Sequence, residues 1–253
     1  MTTKPKSKLF NICAPIALII LLVIVWQIAC TAFDISFHVL PKPAEVGRAL
    51  LENFPRTIFP DMMASVKVML AGYCIAIPLG FAIAAFSSQF NLAVKSIMPV
   101  LIILMLTPMA TLVPIFKLFL GVDPTLKIII VVLQCTPVIA VNSLSGFIYV
   151  PQAKKDLMRA LGCRKWESFF RVTVPGAMPQ IFTGLKLGCI LCTIAAMSAD
   201  ISVGQGGLGY RIQVASSLSA TDLAYAAIVI AAILGVVLYM AVSLVETRVI
   251  TWK

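Results

Sequence analysis

Charge is scarce in this chain. Of its 253 residues 12% are Asp, Glu, Lys or Arg and 60% are hydrophobic, where a soluble domain is about a quarter charged. So little polar surface cannot coat a soluble globule, and the sequence reads as an integral membrane protein. Acidic residues number ten against twenty basic ones. In a soluble domain that balance would suggest nucleic acid. Here the basic residues cluster between apolar runs, which makes them signals of topology and argues against a nucleic-acid partner. His38 is the one histidine; no carboxylate pair or nucleophile stands near it, so no catalytic group and no metal set is expected. The phosphate-loop pattern G-x-x-x-x-G-K-[ST] does not occur, so the chain itself does no ATP chemistry. Seven cysteines, an odd number mostly inside apolar stretches, give no disulfide framework. Cys189 and Cys192 form a CxxC within a continuous apolar run and read as small packing residues rather than a redox pair.

What is present is a series of long apolar runs. Lys4, Lys6 and Lys8 precede the first, residues 9–30, which is long enough to span at about 1.5 Å per residue. No small-x-small cleavage site follows, so a retained first helix with its N-terminus inside is predicted. Residues 34–60 are mixed and proline-rich, with Val46, Leu50 and Phe54 four apart, which predicts an outer-face segment with one short interfacial helix. The second span covers residues 61–86, with Lys67 near its outer end either snorkelling or lining a path. The third, residues 92–120, is crossed by Pro99, Pro108 and Pro114. It cannot be one straight helix, and a break is predicted at Thr107 and Pro108. In lipid the backbone groups freed at such a break need neighbours or water, which places it against a cavity.

The fourth span, residues 125–150, carries Gln134, Thr136 and Asn142. Side chains of this kind either bond neighbouring helices or line a pathway. The fifth, residues 179–200, contains Gly184 and Gly188 in a GxxxG that allows close helix approach, with Lys186 between them near enough to the inner face to snorkel. Gly204, Gly206 and Gly209 spell GxGxxG, but no strand precedes them and a dinucleotide site is discounted. The last span is residues 223–245. An all-α fold of six transmembrane helices follows, with both termini on one side. Lys4, Lys6, Lys8, Lys95, six residues of the central loop, Arg248 and Lys253 make twelve basic residues inside against seven outside, which favours cytoplasmic termini.

The central loop, residues 151–178, is the densest in positive charge: Lys154, Lys155, Arg159, Arg164, Lys165 and Arg171 face Asp156 and Glu167. Leu157 and Leu161 share a face, so residues 152–161 are predicted to form a short amphipathic helix. Gly162 closes it. A second short helix with Trp166, Phe169 and Phe170 on one side is predicted to end at Pro175 and Pro179. From pattern alone the loop either lies on the headgroups or docks a partner.

Here the chain resembles a known family. DLMRALG followed by VTVPGAMPQIFTGLKLG looks like the EAA motif of permease subunits of bacterial ABC importers. Asp156 takes the acidic position, where Glu is usual, Arg159 the basic one and Gly162 the glycine; Met158 replaces an alanine. LPKP at residues 40–43, SVKVMLAGY, TPMATLVPIFKLFLG, NSLSGF and SADISVGQGGLGY are similar, in order, to motifs of the nitrate, sulfonate and taurine branch of these permeases. The resemblance implies the type I importer permease fold, with a flanking segment (residues 1–60), a transmembrane core (61–253) and a cytoplasmic coupling helix. It implies coupling to an ATPase through Asp156, Leu157, Arg159, Leu161 and Gly162, and a path through Thr107, Pro108, Gln134, Thr136, Asn142, Ser198 and Asp200.

Asp200 itself reads either as a tie to Arg211 or a solvated cap, or as part of an outer gate bonding the N–H groups of SVGQGG. The implied partners are a second copy of the chain, two ABC ATPase subunits that hold ATP and Mg, an extracytoplasmic solute-binding protein and the lipid of the bacterial inner membrane. The chain itself takes no cofactor and catalyses nothing. The implied cargo is a small organic or anionic solute: sulfonate-, taurine- or nitrate-like, or a thiamine precursor. The rival of another class is a stand-alone ion-coupled secondary transporter. That reading calls for mid-membrane ionisable residues and inverted repeats, and the sequence shows no repeat.

Overall fold

The structure is a computed structural model that describes residues 8–252, and among these every regular element is a helix. Lys4, Lys6 and Lys253, part of the charge argument, lie outside the described residues. Helix α1, Lys8–Ala32, is followed by α2, Pro43–Asn53. Pro43 opens α2, where its missing N–H is no loss, and Glu45 turns back to accept a 2.7 Å bond from the Lys42 N–H.

The outer-face segment does not stop where the sequence predicted. A π-helical turn at Phe54–Ile58 joins α2 directly to α3, Phe59–Ser87, giving one helical run of 45 residues. The same device recurs in the central loop. After α7, Gln152–Ala160, and α8, Lys165–Ser168, a π turn at Phe169–Thr173 leads straight into α9, Val174–Val203. Pro175 and Pro179 therefore do not end a helix. Both π turns run into a helix whose second residue is proline, Pro60 or Pro175. The wider turn makes room for the ring and for the hydrogen bond that proline cannot donate.

Helices α4, Asn91–Leu106, and α5, Met109–Leu120, meet at 92°. The break falls at Thr107 and Pro108, as predicted, and both are extended. Thr107 precedes a proline, which disfavours helical geometry there. Helix α6, Pro124–Tyr149, starts on Asp123, whose side chain accepts from the Thr125 N–H at 2.7 Å. Hydrogen bonding by Thr125 holds the Asp123 carboxyl below its usual range. Helix α10, Leu208–Ser217, lies in what the sequence suggested was an outer loop, and α11, Thr221–Val249, completes the chain.

Helices α3, α6 and α9 form the centre, with α5 packed on α9 and α10 and α11 beside it. Small residues allow the approach: a Cβ on Gly80 would sit 2.9 Å from Ile139 of α6, and one on Gly184 would sit 2.7 Å from the Asn142 Cβ. In lipid this dispersion contact is a main source of helix association, because lipid tails are as apolar as the helices. The cysteines of the CxxC belong to this packing. The Cys189 and Cys192 thiols lie 3.4 Å from the Tyr73 hydroxyl and the Met69 carbonyl of α3, and both cysteines are free.

Among the described residues four helical runs are long and apolar enough to cross a bilayer, five if the bent α4–α5 pair is one span. Helix α1 contributes a shorter apolar stretch, Ile16–Ala32, with Ile16, Leu18, Leu22 and Ile28 exposed. The chain is thus an all-helical, multi-pass membrane protein.

Candidate functional site

Two regions hold the side chains to which the sequence points. The first is the central loop. Every residue of α7 is at least partly exposed, and Leu157 and Leu161 present 61% and 69% of their surface. Apolar side chains on so polar a helix gain little from the rest of this chain, which is the pattern of a surface that meets a partner or the membrane. Asp156 accepts from Arg159 at 3.1 Å and from the Gln152 amide at 3.0 Å. The helix closes as a Schellman motif, with Cys163 N–H donating to Met158 O at 3.0 Å and Gly162 N–H to Arg159 O at 2.9 Å. Gly162 sits at φ +77°, where a Cβ costs strain, and the space around it is open. All five predicted coupling residues thus lie on one short helix and its closure.

The loop is keyed to the bundle by aromatic contact. Phe169 is buried, with its ring 5.1 Å from Phe147 of α6 and 5.3 Å from Phe170, while Trp166 stays exposed. Lys155 donates to the Phe147 carbonyl at 3.1 Å. Burial, with Arg159 nearby, pushes the Lys155 ammonium below its usual range.

The second region is an ionic cluster where α3, α6 and α9 meet the glycine-rich turn. Asp200 is fully buried, and its partner is Lys127 of α6 at 2.8 Å, not Arg211. Arg211 binds Asp61 at 2.7 Å. The Lys127 ammonium also donates to the carbonyls of Gln205 and Gly206, each at 2.8 Å, so all three of its protons are used. On the other Asp200 oxygen the Ser65 hydroxyl donates at 2.6 Å, and Ser65 in turn accepts the Leu208 N–H at 2.8 Å. Asp61 accepts the Gly207 N–H at 3.1 Å.

The turn can wrap the carboxylate because of its glycines. Gly207 has φ +98°, and a Cβ there would lie 2.2 Å from an Asp200 oxygen. A dinucleotide site is not what these glycines make. The reading of Asp200 as a tie to Arg211 or a solvated cap is corrected here, since the carboxylate is dry and paired across 73 residues of sequence. Lys127, Ser65 and Asp61 were not singled out from sequence as its companions. Asp61 and Ser65, four apart at the head of an apolar span, were the available signal.

The other predicted path residues are placed but not joined by hydrogen bonds to this cluster. Thr107 donates to Ile103 O at 2.8 Å and Asn142 to Val138 O at 2.8 Å, each within or next to its own helix. Pro108 is exposed, Gln134 and Ser198 are half-buried, and the Thr136 hydroxyl is buried without a partner. Lys186, read as snorkelling, instead forms an ion pair with Glu246 near the end of α11. Lys67 is exposed and stands apart from the ionic cluster.

The fold and these two regions define the class: a multi-pass helical membrane protein with a broken span, a tight small-residue core and an exposed amphipathic loop helix. Residues 76–251 match the family model for the binding-protein-dependent transport system inner membrane component, and the chain belongs to that family. Among its relatives is the taurine transport system permease protein TauC of Escherichia coli (strain K12), 27% identical over 91% of this chain and 86% of that protein. The formylaminopyrimidine transport permease protein ThiX of Halalkalibacterium halodurans is 23% identical over 94% and 95%. The nitrate import permease protein NrtB of Synechocystis is 26% identical over 93% and 88%. Two solved structures share the fold. An amino acid ABC transporter with histidines matches at TM-score 0.61 and 17% identity, over 78% of this chain and 96% of that one. The inward-facing MetNI methionine ABC transporter matches at 0.58 and 16%, over 77% and 94%. The resemblance read from the EAA-like loop and the branch motifs is borne out.

Proposed function

We propose that this permease works as one half of a six-span type I pair, with residues 61–253 as the transport core and residues 1–60 as a flanking segment. The α4–α5 pair counts as one span and α1 as another, so both termini share a side, and the basic central loop assigns that side to the cytoplasm. Two ABC ATPases, carrying ATP and Mg, engage α7, and a solute-binding protein delivers cargo at the opposite face. The observation that carries this reading is α7 itself: exposed leucines on a charged helix, closed by Gly162 and keyed to α6 through Phe169 and Phe147. Closure of the ATPases would move α7 and α6 together, switching the bundle between two packings.

Thr107, Pro108, Gln134, Thr136, Asn142 and Ser198 are assigned to the path, and the Lys127–Asp200 cluster to its outer gate. Relatives named for taurine, riboflavin, formylaminopyrimidine and nitrate support a small organic or anionic solute as cargo. An ion-coupled transporter acting alone would also bury an ion pair, but it would have no use for α7. Uptake in proteoliposomes separates the two: it is expected to require the ATPase and ATP, and uptake driven by an ion gradient without them would refute the importer reading.

Cys163, half-buried just after Gly162, tests the topology. With the other six cysteines replaced, an impermeant thiol reagent is expected to label it only after cells are opened. Labelling of intact cells would invert the model.

A further inference from the structure

A cavity of about 620 Å³ opens where α7 and α8 meet the ends of α3, α4 and α6. Lys95, Lys155, Arg159 and Lys165 line it, and its described lining includes no Asp or Glu. Asp156 offsets part of the Arg159 charge from outside the wall, at 3.1 Å. Among the described residues the three lysines have no carboxylate within ion-pairing distance. Lys155 is the most confined of them, leaning on a backbone carbonyl at 3.1 Å and disfavoured by its own burial and by Arg159. An anion among these groups would relieve both strains.

The surroundings indicate which anion. Phe147 and Phe169 are among its apolar lining, while Ser88 and Gln89 of the α3–α4 turn contribute polar side chains. The same turn carries Phe86 and Phe90, 55% or more exposed with rings 5.5 Å apart, and Leu92 beyond them is 78% exposed. A cationic cup beside a bare apolar ledge suits a molecule with a phosphate at one end and acyl chains at the other.

We propose that this cavity binds the phosphate of an anionic phospholipid, with the acyl chains along the α3–α4 turn. Assigning that lipid to the cytoplasmic leaflet rests on the topology proposed above. The site would tie the lipid's headgroup to the element that engages the ATPase.

The test uses the assembled transporter in nanodiscs of phosphatidylcholine with and without phosphatidylglycerol, reading the unfolding midpoint and the phosphatidylglycerol retained in native mass spectrometry. Phosphatidylglycerol is expected to raise the midpoint. The double variant Lys95→Gln, Lys165→Gln, at two exposed positions, is expected to lower apparent affinity for it on the order of tenfold. The control pair Lys154→Gln, Arg171→Gln removes an equal charge at two exposed positions outside the cavity lining and is expected to change it less than about twofold. Equal losses in the two cases would mean diffuse attraction and no site. An equal midpoint shift from inorganic phosphate alone would make it a soluble-anion site and overturn the lipid assignment. So would a double variant that keeps its lipid but sheds the ATPase, since the cavity would then face an acidic partner surface. Nanodiscs expose both faces, so a contrary Cys163 result would change the leaflet and leave the binding result standing.

Discussion

Lys127→Met is expected to cost about 3–5 kcal/mol of stability, the largest effect of any single substitution considered, because it leaves the Asp200 carboxylate buried without a counter-charge. The pair is 2.8 Å long with side-chain exposures of 4% and 1%, so neither water nor salt screens the loss. The carbonyls of Gln205 and Gly206 also lose their donor, and the turn that α10 starts from loses its anchor. A sharply lower unfolding midpoint and poor recovery from membranes are the expected readouts. Arg211→Gln should cost less, since that pair with Asp61 is partly exposed.

The double variant Lys127→Met, Asp200→Asn separates structure from gating. Neutralising both partners removes the stranded charge, and asparagine retains an acceptor for Ser65, so most of the stability is expected to return. If the cluster holds the outer gate closed, this folded variant will still show raised basal ATPase activity and reduced uptake. Normal uptake with normal basal activity would make the cluster a structural tie and end the gate assignment.

What could be read from the sequence was local. The break at Thr107–Pro108 follows from one residue's missing N–H and its effect on the residue before it, and α7 follows from leucines four apart ahead of a glycine. Both were found where predicted. The ionic cluster was not legible, because Ser65 and Asp200 are 135 residues apart, Lys127 and Asp200 73, and Arg211 and Asp61 150. No periodicity links such residues, and near a span end Lys127 looks like any charge awaiting solvent. Burial inverted that expectation. Proline misled in the other direction: Pro175 and Pro179 read as helix stops and the proline-rich stretch to residue 60 as a separate outer segment, yet a π turn before Pro60 and before Pro175 carries the helix through. Recognising FPRTIFP and FFRVTVP as such turns would have shown the two longest helical runs.

Gly162→Val is expected to abolish substrate-stimulated ATP hydrolysis by the assembled transporter while leaving the permease in the membrane. At φ +77° valine is strained by roughly 1–2 kcal/mol or more, and that strain is relieved most easily by opening the two bonds that close α7, from Cys163 and Gly162 to Met158 and Arg159. Nothing lies within 4 Å of a Cβ at this position, so the effect would act through the backbone and not through a clash inside the chain. Loss of the closure would fray the turn carrying Leu161 and, if α7 is the docking element proposed above, change the angle at which Leu157 meets the ATPase. Asparagine tolerates the left-handed conformation, and Gly162→Asn is therefore expected to retain most of the stimulation. If Asn fails as badly as Val, the glycine is needed because the ATPase approaches it closely, and the conformational argument is wrong. Full stimulation in Gly162→Val would remove α7 from the coupling route altogether.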